Sequence, residues 1–196
     1  MKTFTIVIPT YNNLDLFKSA YSSVCKQDFK DYEVVVVDDS DDSSIEDYMS
    51  SLNSPVLIYR HHVPSAGAVS NWNHGLQLAS GKYVIVLHHD EAFEEGNYLT
   101  SLNVQFQKGY DVLVSRVKVF NGGILKPNVF SQAVMKGFIG CPSLLFLCYV
   151  IGPCSCIAFK RAHITAFDNR LNWLVDVDWY YRLLKGKRRK FLDHLH

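Results

Sequence analysis

The sequence has almost no excess of either charge. Its 20 Lys and Arg residues are nearly balanced by 19 Asp and Glu residues, which leaves a formal net charge of +1 at pH 7. Domains that bind nucleic acids usually carry a basic surface with interleaved aromatic residues and have a high pI. Because no basic stretch of that kind occurs before residue 185, we expect no nucleic-acid partner.

Long apolar runs are also scarce. Residues 1–9 contain a brief apolar run that ends at Pro9, without the apolar length and small-residue cleavage site of a signal peptide, so we expect a cytoplasmic protein. Residues 138–151 form the most apolar region, but Gly140 and Pro142 interrupt it well short of the roughly 18 residues that a membrane span needs. We expect this region to lie in the core or on a surface that touches a membrane or a lipid-linked substrate.

The five cysteines form no Cys-x-x-Cys pair. An odd number of scattered cysteines argues against a disulfide framework. Cys154 and Cys156 belong to no paired Cys-x-x-Cys cluster, so we expect no metal ion shared between them. We therefore expect free, mostly buried thiols, as in proteins of a reducing compartment.

The first ninety residues contain a regular alternation of strand and helix patterns. Apolar, β-branched runs predict strands at residues 4–8, 32–37, 56–59 and 83–87, and apolar residues at helical spacing predict a helix after each of the first three. This order is typical of an α/β fold with a mostly parallel sheet and right-handed crossovers. Beyond residue 90 the pattern is less regular: helices are predicted near 99–106 and 174–184, strands at 112–119 and 155–159, and a loop at 121–132.

Polar clusters follow two of the predicted central strands, where ligands bind in open α/β sheets. Asp38 and Asp39 follow the second strand, and a carboxylate there could accept hydrogen bonds from a pyrimidine N3–H or from ribose hydroxyls. The same residues could instead belong to an acidic turn that caps the helix beginning at Ser44.

The fourth strand ends in His88, His89, Asp90 and Glu91. Asp90 could ligate a divalent cation, Mn²⁺ or Mg²⁺, and a neighbouring imidazole favours manganese. An ordinary solvated turn is the alternative interpretation. The pairs His61-His62 and His88-His89 do not predict a zinc site, because adjacent side chains on an extended chain point apart.

Two features of the last quarter have both a chemical and a structural interpretation. Asp176 and Asp178 lie at the start of an aromatic-rich helix, where one of them could act as a general base, although a carboxylate there also stabilises the helix dipole. The basic segment at residues 185–190 could be a solvated helix end or a contact with an anionic membrane.

Taken together, these motifs resemble those of the family 2 glycosyltransferases, which have the GT-A fold. The resemblance is densest in the first ninety residues and extends to about residue 185. It is carried by the opening strand and turn FTIVIPTYN (4–12), by the strand EVVVVDDS (33–40), by NHG (73–75) and ASGKY (79–83), and by the pair Val175-Asp176 before a helix that contains Arg182.

The resemblance implies an inverting, metal-dependent transfer of a sugar from a nucleotide-sugar donor, UDP- or dTDP-linked, to a hydroxyl of a sugar or lipid-linked acceptor. A role in surface polysaccharide or glycoconjugate synthesis would follow. It implies a catalytic base at Asp176, a metal ligand at Asp90, and contacts to base and ribose from Thr10, Tyr11 and Asp39. The full implied donor-binding set is Pro9, Thr10, Tyr11, Asp38, Asp39, Asn73, His88, His89 and Asp90.

The chain departs from the family pattern at two positions and at its carboxyl end. His88 stands where the DxD motif has its first Asp, and Val175 stands where the family has Glu. Little follows residue 185, so we expect one domain over residues 1–196, minimal or truncated, with a nucleotide-binding half (1–90) and an acceptor-side half (91–196). A non-catalytic nucleotide-sugar-binding or scaffold subunit is the alternative.

Overall fold

The computed structural model describes residues 1–52, 54, 57–121, 124–127 and 130–195. Six α-helices in this part of the chain are α1 (Leu14–Cys25), α2 (Ser44–Ser51), α3 (Ala68–Leu78), α4 (Tyr98–Gln107), α5 (Gln132–Gly140) and α6 (Val175–Leu184). Nine strands are β1 (Phe4–Thr10), β2 (Tyr32–Asp38), β3 (Leu57–His61), β4 (Tyr83–Val86), β5 (Val112–Arg116), β6 (Lys118–Asn121), β7 (Ile124–Pro127), β8 (Ile157–Lys160) and β9 (Arg189–Leu195).

Seven of these strands form one sheet in the order β3-β2-β1-β4-β8-β5-β9. The strands β1 to β4 are mutually parallel, β8 runs antiparallel to both of its neighbours, and β5 pairs in parallel with β9. The predicted α/β fold with a mostly parallel sheet is therefore confirmed.

Helices cover both faces of the sheet, and the side chains of each strand alternate between them. Val7 and Val35 point to the face that packs on α3, α5 and α6, whereas Ile6 and Val36 point to the face that packs on α1, α2 and α4. The strands are buried on both faces, which explains their continuous apolar sequences.

The parallel strands bring their carboxyl ends to one edge of the sheet. Thr10 at the end of β1 pairs with Asp38 at the end of β2, and the amide of Asp39 donates to the carbonyl of Thr10 at 3.0 Å. On the other side of β1, the amide of Leu87 donates to the carbonyl of Val7 at 2.8 Å, so the residues after β4 leave the sheet beside those after β1. This edge positions the predicted donor-binding residues.

The acceptor-side half differs from several predictions. The strand predicted at 112–119 is divided into β5 and β6, and the region predicted as a loop contains β7, paired with β6, and the start of α5. Residues 154–156 form a 3₁₀ turn before β8. Val56 and the Gly122-Gly123 pair lie outside the described residues.

The cysteines and the basic segment also differ from expectation. All five thiols are free, but Cys25, Cys141 and Cys148 are exposed, so the prediction of mostly buried thiols was wrong. The basic segment begins as an exposed helix end, because Lys185 is the C-cap of α6, but it continues into β9 from Arg189. The guanidinium of Arg189 donates to the carbonyls of Gly140 and Leu184, which caps the ends of α5 and α6. Among the described helices, none is both long and apolar enough to cross a bilayer.

Candidate functional site

A pocket lies at the carboxyl ends of β1, β2 and β4, and we call it the strand-end pocket. Its volume of about 430 Å³ is within the range of small-molecule sites. It is lined by Pro9, Thr10, Tyr11, Asp39, Ser65, Gly67, Ala68, Asn71, Trp72, His88, His89 and Asp90. Seven of the nine residues predicted to bind the donor therefore line one pocket.

Asp39 holds the loop that forms one wall of this pocket. Its carboxylate accepts hydrogen bonds from the Ser65 hydroxyl at 2.6 Å, from the Ala66 amide at 2.6 Å and from the Gly67 amide at 2.9 Å. Burial alone would raise its pKa, but these hydrogen bonds hold the pKa of Asp39 below its ordinary value. Asp39 is therefore an ionised acceptor at the pocket wall.

Asp38 and Asn73, the two other predicted residues, do not line the pocket. Asp38 is fully buried and accepts hydrogen bonds from the Tyr59 hydroxyl at 2.7 Å and the Ser40 amide at 2.9 Å. The side chain of Asn73 exchanges hydrogen bonds with the main chain of Phe167, at 2.9 and 2.7 Å. Both side chains are used to hold segments of the protein together, which is the physical reason that they are absent from the pocket.

The turn after β1 is fixed by a residue that the sequence analysis did not select. Asp41 accepts hydrogen bonds from the Tyr11 hydroxyl at 3.2 Å and from the Asn12 side chain at 2.7 Å. The Tyr11 amide donates to Nδ1 of His89 at 3.3 Å. The side chain that caps α2 is Asp42, which accepts from the Ser44 amide, so the capping role does not fall to Asp38 or Asp39.

Asn71 is a second lining residue that sequence reasoning missed. Its side chain is buried and donates to the carbonyl of Val37 at 2.9 Å. Within the described part of the chain, its Oδ1 and the Oγ1 of Thr10 are buried and have no hydrogen-bond partner. Two such atoms in one pocket indicate a polar ligand, since a buried polar group without a partner is costly. A polar residue on the apolar face of α3 was the available signal.

His88 and Trp72 form a wall between the strand-end pocket and a second pocket, and both residues line each of them. Nδ1 of His88 lies 3.0 Å from a carboxylate oxygen of Glu91, and its ring centroid lies 4.9 Å from that of Trp72. Burial would lower the pKa of His88, but Glu91 raises it above the ordinary value. Glu91 also accepts a hydrogen bond from the Ser155 amide, which joins the end of β4 to the turn before β8.

The second pocket has a volume of about 560 Å³ and lies against the start of α6, and we call it the α6 pocket. Its lining residues are Trp72, His88, Glu91, Tyr149, Pro153, Cys154, Asn172, Trp173, Leu174, Val175, Asp176 and Tyr180. Leu174, directly before α6, has a left-handed backbone with φ of 57°, a strained conformation for a branched side chain.

Asp176 is the predicted base that lines the α6 pocket. Its carboxylate accepts a hydrogen bond from the Val177 amide at 2.9 Å and interacts with the Tyr149 hydroxyl. Burial and the nearby Asp176 carboxylate together raise the pKa of Tyr149. Asp178 instead forms an ion pair with Arg182, whose Nε and Nη2 lie 2.8 and 2.7 Å from Oδ2 of Asp178. The two carboxylates of α6 therefore have different surroundings, and Asp176 is the one that faces a ligand-sized space.

The strand-end pocket offers limited ligands for a divalent cation. Among the described residues no group of three His, Cys, Asp or Glu side chains is arranged to hold a metal ion. Asp90 is exposed and lines the pocket, whereas His88 already contacts Glu91 and His89 accepts from Tyr11. A single carboxylate fits a cation such as Mg²⁺ or Mn²⁺ when substrate phosphates and waters complete its coordination.

Comparisons with known proteins agree with this arrangement. The sequence model described as "Glycosyl transferase family 2" matches residues 5–165. A Campylobacter jejuni protein, GalNAc(5)-diNAcBac-PP-undecaprenol beta-1,3-glucosyltransferase, is 32% identical over 139 residues, which cover 69% of this chain and 45% of that protein.

Two solved structures share the fold. Staphylococcus aureus TarS 1–349 in complex with UDP superposes with a TM-score of 0.79 at 21% identity, over 97% of this chain and 58% of that one. The mannosyltransferase PcManGT of Pyrobaculum calidifontis, in complex with GDP-Man and Mn²⁺, has a TM-score of 0.71 at 17% identity, over 100% of this chain and 56% of that one. The chain thus spans about half the length of each of these three proteins.

Proposed function

The chain belongs to glycosyl transferase family 2, and from this premise we propose that it moves a sugar from a UDP- or dTDP-linked donor to a hydroxyl acceptor, with inversion at the anomeric carbon. One observation carries the proposal. A polar pocket at the strand ends and a pocket that contains a carboxylate share the wall formed by Trp72 and His88. A donor and an acceptor bound in adjoining pockets would meet at that wall.

The strand-end pocket would bind the donor. Thr10, Tyr11 and Asp39 would contact base and ribose, and the ionised Asp39 suits the N3–H of uracil or thymine. The buried oxygens of Asn71 and Thr10 would receive their missing hydrogen bonds from the ligand. Structures of S. aureus TarS with UDP and with UDP-GlcNAc support a uridine nucleotide in this fold.

Asp176 would be the general base at the acceptor. Its carboxylate would take the proton from the acceptor hydroxyl as that oxygen bonds to the anomeric carbon and the bond to the nucleoside diphosphate breaks. Proton transfer of this kind typically contributes about 10²- to 10⁴-fold to the rate. Tyr149 and the Val177 amide would hold the carboxylate in place for this step.

Asp90 would hold a divalent cation, Mn²⁺ or Mg²⁺, together with the donor diphosphate. When bound, such a cation supplies positive charge beside the phosphates of the leaving group. The structure of PcManGT in complex with GDP-Man and Mn²⁺ supports a divalent cation in this fold. His88 replaces the carboxylate that the family has first in the motif, and it would contribute a nitrogen at the pocket wall instead.

The relatives suggest the biological setting. The Campylobacter protein is named for a lipid-linked acceptor, and TarS for a poly(ribitol-phosphate) acceptor. We propose a sugar or lipid-linked acceptor, a role in surface polysaccharide or glycoconjugate synthesis, and work on the cytoplasmic side of a membrane. Residues 1–90 would form the donor-binding half and residues 91–196 the acceptor-side half of one domain.

Calorimetry with UDP, dTDP and GDP, each with and without Mn²⁺, tests the donor site. We expect one uridine or thymidine nucleotide to bind, with about tenfold or greater weakening in Asp39→Ala and loss of the Mn²⁺ effect in Asp90→Ala. Asp42→Ala is the matched control, because Asp42 is exposed and caps α2. Binding of none of the nucleotides, or equal weakening by Asp42→Ala, would contradict the assignment.

A non-catalytic nucleotide-sugar-binding or scaffold subunit is the second candidate, favoured by the replacement of two family carboxylates with His88 and Val175. Donor turnover separates the two functions. Slow release of free sugar from the bound nucleotide-sugar in the presence of Mn²⁺, lost in Asp176→Asn, is expected of the enzyme. A protein that binds the donor tightly and leaves it intact under every acceptor tested would be the scaffold.

A further inference from the structure

Charge is divided unevenly along the chain. Residues 112–196 contain thirteen of the twenty Lys and Arg residues but four of the nineteen Asp and Glu residues, and residues 112–167 contain six cationic residues and no carboxylate side chain. The other fifteen acidic residues therefore lie in residues 1–111, and we call residues 112–196 the basic half. Charge asymmetry between two halves of a chain is a sign of an anionic partner for the basic half.

The basic half also exposes large apolar side chains around the α6 pocket. Leu147 is 80% exposed and Trp173 is 81% exposed, and Phe146, Tyr149 and Leu174 are each about half exposed. We call these five residues the apolar rim. Tyr149, Trp173 and Leu174 line the α6 pocket, and Phe146 packs against Tyr181 of α6 with ring centroids 5.3 Å apart.

A cation lies next to this rim. Nζ of Lys185 is 5.1 Å from the ring centroid of Tyr181, the same ring that Phe146 contacts. Three of the other four cations of the basic segment have partners elsewhere. Arg189 caps α5 and α6, and Arg188 and Lys190 lie over the ring of Tyr110. Lys185 is therefore the cation of this segment whose contacts place it beside the apolar rim, and the expected membrane contact rests on it.

We propose that the apolar rim and Lys185 dock on an anionic lipid bilayer, with the α6 pocket opening toward the headgroups. A bilayer interface offers both an apolar environment for Leu147, Phe146 and Trp173 and anionic headgroups for Lys185. Aromatic side chains such as Trp and Tyr favour that interface. A water-soluble polyanion would satisfy the charge but would leave the exposed apolar side chains in water, so the rim favours the lipid surface.

The orientation has a consequence for the acceptor, and here the inference rests on the proposed function. An acceptor that enters the α6 pocket from the headgroup region would be attached to a lipid. The hydroxyl to be glycosylated would reach Asp176 while its lipid anchor stays in the bilayer. Binding of the protein to lipid does not itself depend on catalysis, so it can be measured separately.

Sedimentation of the full chain with phosphatidylcholine vesicles, with and without phosphatidylglycerol, tests the docking surface. We expect binding to the anionic vesicles, about tenfold or more weaker in Leu147→Asp and about fivefold weaker in Lys185→Gln. Val104→Asp is the matched control, because Val104 is 49% exposed on α4, in a part of the chain outside the rim. Its vesicle binding should equal that of the wild type.

Three results would overturn the proposal: no sedimentation with anionic vesicles, equal losses in Leu147→Asp and Val104→Asp, or binding that soluble polyphosphate abolishes while Leu147→Asp leaves it intact. The last would identify a polyanion site instead. Nucleotide binding by the same preparations shows that the variants are folded. If the wild-type protein binds nucleotide but no vesicles, the proposed docking surface is wrong and the proposed function stands. If it binds vesicles but no nucleotide, the proposed function is wrong and the docking surface stands.

Discussion

The two halves of the molecule place their polar side chains by different means. In residues 1–90, the proposed donor-binding half, the ladder of β1, β2 and β4 brings Thr10, Asp39 and Asp90 to one edge. In the acceptor-side half, Asp176 lies on a short helix whose position is set by side chains that bond to loop carbonyls. Trp179 donates to Thr165 at 2.8 Å, and the hydroxyl of Tyr180 donates to Gly152 at 2.8 Å.

Backbone pairing between strands therefore positions the polar residues of the first half, whereas individual side-chain hydrogen bonds position those of the second. The first tolerates changes in the polar residues at its edge, because main-chain hydrogen bonds hold the strands. The second combines the proposed base with structural residues in the same few turns, including the strained Leu174 directly before α6. Substitutions that act in only one of the halves test whether the division is real.

Asp176→Asn should have the largest effect. It removes the proposed base but keeps the shape of the side chain, so turnover should fall by about 10²- to 10⁴-fold while nucleotide affinity is unchanged. Steady-state transfer or donor hydrolysis, together with calorimetry, measures the two quantities. An unchanged rate would reject Asp176 as the base.

Asp178→Asn is the control on the same helix. Asp178 pairs with Arg182 and does not line the α6 pocket, so its loss should reduce activity by less than about tenfold and act on stability, by up to about 1 kcal/mol. Equal losses of turnover in the two variants would mean that the substitutions act by loosening α6 and not by removing a base.

Gly75→Ala tests the packing of the donor-binding half. Gly75 lies on α3 against the sheet, where an added Cβ would overlap Cγ1 of Val7 and lie 3.1 Å from Cγ2 of Val37. Over-packing of this kind costs about 1–3 kcal/mol, so the variant should unfold at lower urea concentration. If the urea midpoint of the variant equalled that of the wild type, α3 would be able to move away from β1. This half would then be less rigid than its strand pairing suggests.

The same division explains what the sequence could predict. Apolar runs that end in polar residues identified β1, β2 and β4, and the pairing of parallel strands made the meeting of their ends predictable. The family resemblance selected Asp39 for the base and ribose, but it kept Asp38 in the donor-binding set and pointed to Asn73 instead of Asn71. The residue pattern alone could not decide, because each choice depends on which way a side chain points after the strand or around the helix. In the structure, Asp38 accepts a hydrogen bond from the Tyr59 hydroxyl, and Asn73 accepts one from the Phe167 amide.

In the acceptor-side half, periodicity located α6 but not α5 or β9. The sequence of α5 contains two glycines, and β9 begins with Arg and Lys, so neither has the composition typical of its structure. Tertiary contacts decide both: β9 pairs with β5, and Arg189 caps α5. Glu91 was visible in the sequence as part of the strand-end cluster and bonds to His88, three residues away. Its bond to Ser155 joins residues 64 positions apart, which the sequence pattern does not show.

Asp111→Asn should weaken the junction of β5, β8 and β9. The carboxylate accepts from Lys160 at 2.7 Å and from the Arg188 amide at 2.9 Å. Burial alone would raise its pKa, but these partners hold the pKa of Asp111 at about 2. The variant should therefore lose on the order of 2 kcal/mol of unfolding free energy at pH 7.

The pH dependence of that loss has a definite sign. Because the folded-state pKa is lower than the ordinary value of 3.8, the stabilisation is fully present above about pH 4 and disappears as the pH falls toward 2. Urea unfolding of wild type and variant across this range should show their difference shrinking in acid. A difference that stays constant with pH would mean that the charge of Asp111 contributes nothing.

Gly137→Ala should have the smallest effect, of opposite sign to Gly75→Ala. Gly137 lies inside α5, and an added Cβ would meet no atom within 4 Å. Alanine stabilises a helix interior by about 0.5–1 kcal/mol relative to glycine, so the unfolding midpoint should rise. If Gly137→Ala were as damaging as Gly75→Ala, α5 would have to be packed as closely as α3, and the contrast between a tightly packed donor-binding half and a looser acceptor-side half would fail.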